Sequence, residues 1–264
     1  MSGPQLDFFA VRRHTGGTWE HLSDAVAVEE PLELRVGTAA GSVPLSVMMR
    51  TPGHDLELVR GWLHAEGLLA AVTAISVLPG APNVLLLDGD RATLLAAQRG
   101  SVTSSACGVC GSGSVERLML RVSAPVWTAP PLPPATIRGL PEVLRAAQPA
   151  FEASGGLHAA GLFDASGRLL HAFEDVGRHN AVDKAVGAAL PELPLGNRVL
   201  VTSSRAGFEI VQKALLAGIA VVVTVGAPSS LAVETAVSLG LTLVGFVRGG
   251  RFNVYAGAER LDIR

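Results

Sequence analysis

Three apolar runs near the end of the chain constrain its fold more than any other feature: Arg198-Val199-Leu200-Val201-Thr202, Ala220-Val221-Val222-Val223-Thr224 and Thr242-Leu243-Val244-Gly245-Phe246-Val247. Each is short, rich in β-branched residues and continuous rather than alternating. A strand with one wet face alternates polar and apolar positions, so a continuous run is a strand buried on both faces, as in a parallel sheet covered by helices. The segments between the runs supply those helices, from about Gly207 to Ala217 and from Ser229 to Leu239. The expected class is therefore α/β, with ligands bound beyond the carboxyl ends of the strands.

The rest of the chain divides around this core. Residues 124–136 hold five prolines, Pro125, Pro130, Pro131, Pro133 and Pro134, and read as a linker, because so much proline continues neither a helix nor a central strand. Residues 137–264 form the α/β domain: a helix at Ile137–Ala147, strands at His158–Phe163 and Leu169–Phe173, a helix at His179–Leu190, then the three runs. Residues 1–123 read as a smaller α+β domain. Its expected strands are Gly17–Leu22, Ala25–Val28, Leu32–Val36, Leu45–Met49, Ile75–Leu78 and Val84–Leu87, with a helix from Asp55 to Leu69 that Gly67 helps to stop.

Composition excludes several classes. With 264 residues, 48% hydrophobic and 17% charged, the chain can bury a sizeable core, and disorder is not expected. A net charge of −2 carries no polyelectrolyte signature, so no nucleic-acid partner is expected, although a single phosphate-bearing ligand can still find a local basic site. There is no apolar secretory run at the amino terminus, and the longest apolar stretch, Ala214 to Val225, is broken by Gly218. No membrane segment is expected, and the reading places the thiols, reduced, in the cytoplasm.

The loops after the three runs carry the polar chemistry. Ser203-Ser204-Arg205 precedes a helix and offers hydroxyls, a helix amino terminus and a fixed charge to a phosphate; plain N-capping is the alternative. Val225-Gly226-Ala227-Pro228-Ser229-Ser230 repeats the form. Arg248-Gly249-Gly250-Arg251 can bring backbone and two guanidiniums against an anion, or simply turn a hairpin. The cluster Glu174-Asp175-Val176-Gly177-Arg178-His179-Asn180 leaves two uses open: Asp175 or Glu174 orients His179 for acid–base work, or Asp175 caps the following helix and joins a surface ion pair. His54, beside Pro52-Gly53, reads as a turn residue.

Both cysteines, Cys107 and Cys110, lie in Ser104-Ser105-Ala106-Cys107-Gly108-Val109-Cys110-Gly111-Ser112-Gly113-Ser114. A structural zinc site needs two further Cys or His ligands, and the seven histidines show no matching spacing. A thioredoxin-type dithiol usually has an aromatic residue or proline nearby. A thiolate that carries sulfur as a persulfide needs an exposed cysteine free to visit donor and acceptor, and small neighbours grant that freedom. A buried reduced pair is the plain alternative.

The cysteine loop is joined by Glu29-Glu30-Pro31-Leu32, Arg50-Thr51-Pro52-Gly53, His158-Ala159-Ala160, the block from Glu174 to Lys184, Thr202-Ser203-Ser204-Arg205 and the segment Phe246 to Tyr255. Together, and in this order, they resemble the formate dehydrogenase accessory sulfurtransferase family, FdhD. The departures are small: Ala106 stands where serine or threonine is frequent. The resemblance implies a sulfurtransferase whose Cys107, with Cys110 as partner, takes persulfide sulfur from a cysteine desulfurase. The sulfur goes to the molybdenum of the bis(molybdopterin guanine dinucleotide) cofactor, which formate dehydrogenase requires for activity. It implies cofactor binding at Phe246, Val247, Arg248, Gly249, Gly250 and Arg251, to which the residue reading adds Ser203, Ser204 and Arg205. It also implies a homodimer and a cytidine deaminase-like α/β domain behind a smaller α+β one. Deaminase chemistry needs a zinc-binding His/Cys set with a His-x-Glu motif. This chain lacks that set, so no zinc is expected. A cofactor-holding chaperone whose cysteines only sense oxidation is the competing reading.

Overall fold

The computed structural model describes residues 3–39, 41–97 and 121–263. Cys107 and Cys110 lie outside the described residues. Strands β1 (Leu6–Thr15) and β2 (Thr18–Ala27) form a two-stranded ribbon. The two pieces expected between Gly17 and Val28 are largely one strand, β2, and β1 was not expected at all: large apolar residues on both of its faces, Phe8 and Phe9 among them, hide the alternation.

Strands β3 (Glu30–Thr38), β4 (Gly41–Arg50), β5 (Val72–Leu78) and β6 (Ala81–Gly89) form a second sheet in the order β4-β3-β6-β5. Here the period-two pattern is realised. Leu32, Leu34 and Val36 are fully buried and join Leu58 and Leu63 of helix α1 (Asp55–Glu66) in one core, while Arg35 pairs with Glu33 at 2.5 Å on the other face. Gly67 ends α1 at φ 77, its N–H bonded to the His64 and Leu63 carbonyls. A short helix α2 (Arg91–Ala96) follows, capped by the Asp90 carboxylate.

The third sheet contains β7 (His158–Asp164), β8 (Leu169–Asp175), β9 (Arg198–Thr202), β10 (Val221–Thr224), β11 (Thr242–Arg248) and β12 (Arg251–Ala256), in the order β12-β11-β10-β9-β7-β8. The three continuous runs are β9, β10 and β11, parallel to one another and buried on both faces. Val199, Val201, Val221 and Val223 pack with Ile137, Leu140 and Leu144 of α3 (Pro134–Ala146). Leu200 and Val222 pack with α5 (Arg178–Ala188), α6 (Phe208–Leu216) and α7 (Ser230–Ser238). The sheet is mixed rather than wholly parallel, because the short turns at Asp164–Gly167 and Gly249–Gly250 can only return the chain antiparallel. Between α3 and β7 lies the short helix α4 (Pro149–Ser154).

The proline-rich stretch is tied to this body. Leu132 is fully buried, donating to the Arg260 carbonyl and accepting from Asp262 N–H, and the Asn197 side chain accepts from the N–H groups of Thr128 and Ala129. α3 starts at Pro134, ahead of the expected Ile137, since proline's fixed φ and missing N–H suit a first turn.

Helix α1 rests on α5 almost backbone to backbone. A Cβ at Gly187 would overlap the Glu57 carbonyl, and one at Gly61 the Asp183 carbonyl. Gly187→Ala is therefore expected to destabilise the protein by about 1–3 kcal/mol in urea denaturation, through overpacking that backbone cannot relieve. Gly139→Ala in α3, where the position is open, is expected to be neutral or stabilising by up to about 1 kcal/mol.

Candidate functional site

The carboxyl ends of β9, β10 and β11 are stitched into one surface by their loops. Val225 N–H donates to the Thr202 carbonyl at 3.1 Å, Gly226 N–H to Ser204 at 3.1 Å, Ala206 N–H to Ala227 at 3.2 Å and Phe246 N–H to Gly226 at 3.0 Å. Gly226 lets the loops approach closely, since a Cβ there would stand 3.0 Å from both the Ser204 carbonyl oxygen and the Arg205 Cγ. The two serine loops then differ. Ser229 Oγ accepts from Ala232 N–H and is an ordinary N-cap of α7. At α6 the N-cap is Gly207, with no side-chain cap, so Ser203 and Ser204 are not used that way. Ser203 Oγ instead accepts from Ala159 N–H at 2.9 Å, which leaves its hydroxyl hydrogen available to a ligand.

Beside these loops opens a cavity of about 1130 Å³. Its wall includes Ser203 from the β9 loop, Val247, Arg248, Gly249 and Gly250 from the β11–β12 turn, and His158 at the start of β7. The opposite wall is the polar stripe of α3, Arg138, Glu142 and Arg145, with Gln148 and Phe151 beyond it. Arg145 is held, paired with Glu152 at 2.5 Å and stacked 4.3 Å from the Phe151 ring centre. Arg248 is exposed, its guanidinium 5.6 Å from the Phe246 ring centre, and Phe246 itself adopts φ 55, rare for a bulky residue. The Gly249–Gly250 turn has φ 58 and 76, a conformation only glycine adopts without strain, so it is both a hairpin turn and part of the cavity wall. Burial, helped by Arg178 and Arg205, lowers the His158 pKa, so a neutral imidazole faces the cavity.

The Glu174–Lys184 block does something else. Asp175 and Lys184 are fully buried and paired at 2.8 Å; the surface ion pair expected for Asp175 is an interior one. Asp175 also accepts from Gly177 N–H, Asn180 Nδ2 and Thr51 N–H, while Lys184 donates to the Thr51 and Glu174 carbonyls. Glu174 accepts from Ala150 and Phe151 N–H at the start of α4. Neither acid orients His179, whose Nε2 lies 3.0 Å from Glu209. Burial and the nearby Arg178, Lys213 and His158 push the His179 pKa down to about 3, so a neutral Nε2–H donates to that carboxylate. Arg50, buried behind Thr51, grips Asp55 with two nitrogens and also reaches Glu30 and Asn83. Two of the distinctive sequence blocks are thus a structural joint between α1, β4 and α5. His54 is the N-cap of α1 in left-handed conformation, in keeping with a turn residue.

The sequence model of the FdhD/NarQ family matches residues 27–262. The chain belongs to the FdhD/NarQ family. It is 49% identical over 253 residues to the sulfur carrier protein FdhD of Corynebacterium efficiens, covering 89% of this chain and 90% of that one. To the sulfur carrier protein FdhD of Thermoplasma acidophilum it is 44% identical over 247 residues, covering 90% and 87%. The crystal structure of a putative formate dehydrogenase accessory protein from Desulfotalea psychrophila superposes with a TM-score of 0.77 at 25% identity, covering 98% of this chain and all of that one. In this FdhD/NarQ chain the cavity brings together Ser203, Val247, Arg248, Gly249 and Gly250. Ser204, Arg205, Phe246 and Arg251 stand outside its wall: Ser204 is buried and donates to the Arg205 carbonyl, Phe246 supports Arg248, and Arg205 and Arg251 are exposed. Residue reasoning missed Arg138, Arg145 and His158. The signal for the first two was the polar stripe of α3, whose spacing sets Arg138, Glu142 and Arg145 on one side. No helix among the described residues is long and apolar enough to cross a membrane.

Proposed function

We propose that this chain is a sulfur carrier for the maturation of a formate dehydrogenase, working in the cytoplasm as a homodimer. Cys107 accepts sulfur from a cysteine desulfurase persulfide and the sulfur passes to the molybdenum of a bis(molybdopterin guanine dinucleotide) cofactor, which is the substrate. The observation that carries this reading is the cavity of about 1130 Å³ on which Ser203 and the Arg248-Gly249-Gly250 turn converge, ample for a nucleotide-bearing ligand. Arg248 supplies a planar charge for a phosphate, Ser203 a hydroxyl donor, and neutral His158 a donor or acceptor for a base edge. Arg205 and Arg251 add positive charge around the same strand ends.

The sulfur chemistry balances within the Cys-x-x-Cys pair. The Cys107 thiolate attacks the outer sulfur of the donor persulfide; a new S–S bond forms, the donor's breaks, and the desulfurase leaves as a thiolate. For release, the Cys110 thiolate attacks the inner sulfur, expelling hydrosulfide to the molybdenum and leaving a Cys107–Cys110 disulfide. The pair thereby provides the two electrons that reduce sulfane sulfur to sulfide, and a cellular dithiol reductant restores it. The mixed sheet with helices on both faces supports a cytidine deaminase-like domain over 137–264, reused without zinc, behind the smaller domain over 1–123 and the proline-rich 124–136.

Intact-mass spectrometry after incubation with a desulfurase and cysteine tests the reading: a sulfur-sized increment is expected. Guanine nucleotide binding without any increment would leave the cofactor-holding chaperone in its place. Arg248→Ala is expected to weaken guanosine diphosphate binding, measured by calorimetry, by roughly ten- to a hundredfold, the worth of a charge-assisted phosphate contact. An unchanged affinity would remove the turn from the site.

A further inference from the structure

The β1–β2 ribbon is unusual in having little beneath it. Its strands are ten residues each, and Phe8, Phe9 and Trp19 are 67%, 51% and 67% exposed. A lone two-stranded ribbon is marginal in water, and an unpaired edge with exposed aromatics is a template for another strand. Helix α4 packs against β2, with Gly156 close to Ala27, whereas among the described residues β1 has no strand on its outer side.

The charges on the two strands distinguish their edges. β1 carries Asp7 near one end and Arg12 and Arg13 near the other. Two copies of β1 laid antiparallel with Ala10 opposite itself place Asp7 against Arg13 and Arg12 against Phe8, each twice by symmetry, with Phe9 against Val11 on the Asp7 face. A shift of one residue is forbidden, since opposed side chains would then lie on different faces. A shift of the axis by one position sets Asp7 against Thr15 or against Val11 and loses the ion pairs. The β2 edge behaves oppositely: its charges are Glu20 and Asp24, and self-pairing about Leu22 sets them against each other. The competing partners of the β1 arginines are weak, Arg13–Asp24 at 3.7 Å with both side chains about half exposed and Arg12–His21 at 3.4 Å.

We propose that the free edge of β1 is a homotypic interface, along which two copies pair β1 against β1 antiparallel about Ala10 into one sheet ordered β2-β1-β1-β2. This takes up the homodimer of the proposed function and assigns its surface; the sulfur chemistry does not depend on it. β1 precedes the family match, which begins at residue 27.

The test is sedimentation velocity on the full chain, with Asp7→Arg, Arg13→Asp and the double exchange. The wild type is expected to be a dimer. Each single variant places like charges opposite one another twice and should weaken dimerisation by roughly tenfold or more. The double exchange restores complementary pairs and should restore the dimer. Independently, Ala10→Cys in a background lacking Cys107 and Cys110 should cross-link on mild oxidation, and Leu22→Cys should not. A monomeric wild type overturns the proposal, as does a dimer indifferent to all three charge variants that gives no Ala10→Cys cross-link, which would use another surface. Failure of the double exchange to recover what the singles lose also overturns it. A monomer whose ribbon variants lose binding to the client dehydrogenase would assign the edge to that partner instead.

Discussion

Cys107→Ala is expected to abolish both the sulfur adduct and the activation of the client dehydrogenase, while guanosine diphosphate binding stays at the wild-type level. The loss is expected to be total because Cys107 is the proposed acceptor, and any persulfide formed instead on Cys110, the one thiol left, would have no neighbouring thiolate to expel its sulfur as hydrosulfide. Cys110→Ala separates the two steps. It should still load sulfur on Cys107, giving the same increment by intact mass, but release it slowly unless an external thiol attacks in its place, so client activation should fall and recover with added dithiol. Retained activation by Cys107→Ala would sink the carrier assignment, since the cavity could then act only as a holder. Equal loading and release in Cys110→Ala would show transfer without an internal disulfide. Nucleotide binding is the control, because Ser203 and Arg248 line the cavity and neither lies in the cysteine segment of the sequence.

The legible parts of this protein are those where one physical effect dominates a short window. β9 to β11 could be placed almost to the residue, because burial on both faces leaves a continuous apolar signature. Gly67 could be placed as a stop because a left-handed helix end asks for glycine. Ser203 and Ser229 were not separable, since both precede a helix; only the loop bonds reveal that one caps and the other faces the cavity. β1 was invisible because large apolar residues on both of its faces, Phe8 and Phe9 among them, hide the alternation that marks a half-buried strand. Asp175 was misjudged for a related reason. A charge in sequence reads as solvated, and its buried partners Thr51 and Lys184 come from both sides of the joint, Thr51 lying 124 residues away. The cysteine pair lies outside the described residues, and its reactivity is proposed from chemistry alone: two thiols set among glycines and serines.

Lys184→Met should cost about 3–5 kcal/mol of folding stability, a large share of what a domain of this size has. The substitution keeps most of the side-chain volume, so the loss is electrostatic. Lys184 is fully buried; removing its ammonium leaves the Asp175 carboxyl in the interior without its counter-charge and takes the donor from the Thr51 and Glu174 carbonyls. Asp175→Asn in that background should recover part of the loss, because it removes the orphaned charge and keeps an amide oxygen to accept from Gly177 N–H. Urea denaturation of both variants measures this, with the midpoint falling while the slope stays constant if the same surface unfolds. A loss below about 1 kcal/mol for Lys184→Met would mean that water reaches Asp175 and that the pair is not interior. The location of the damage follows from the joint. Thr51 follows β4 and Lys184 lies on α5, so the weakened contact is the one that holds the α1 layer on the six-stranded sheet. Lys184→Met combined with Gly187→Ala should therefore destabilise by a sum that departs from additivity, since both changes strain the same helix contact.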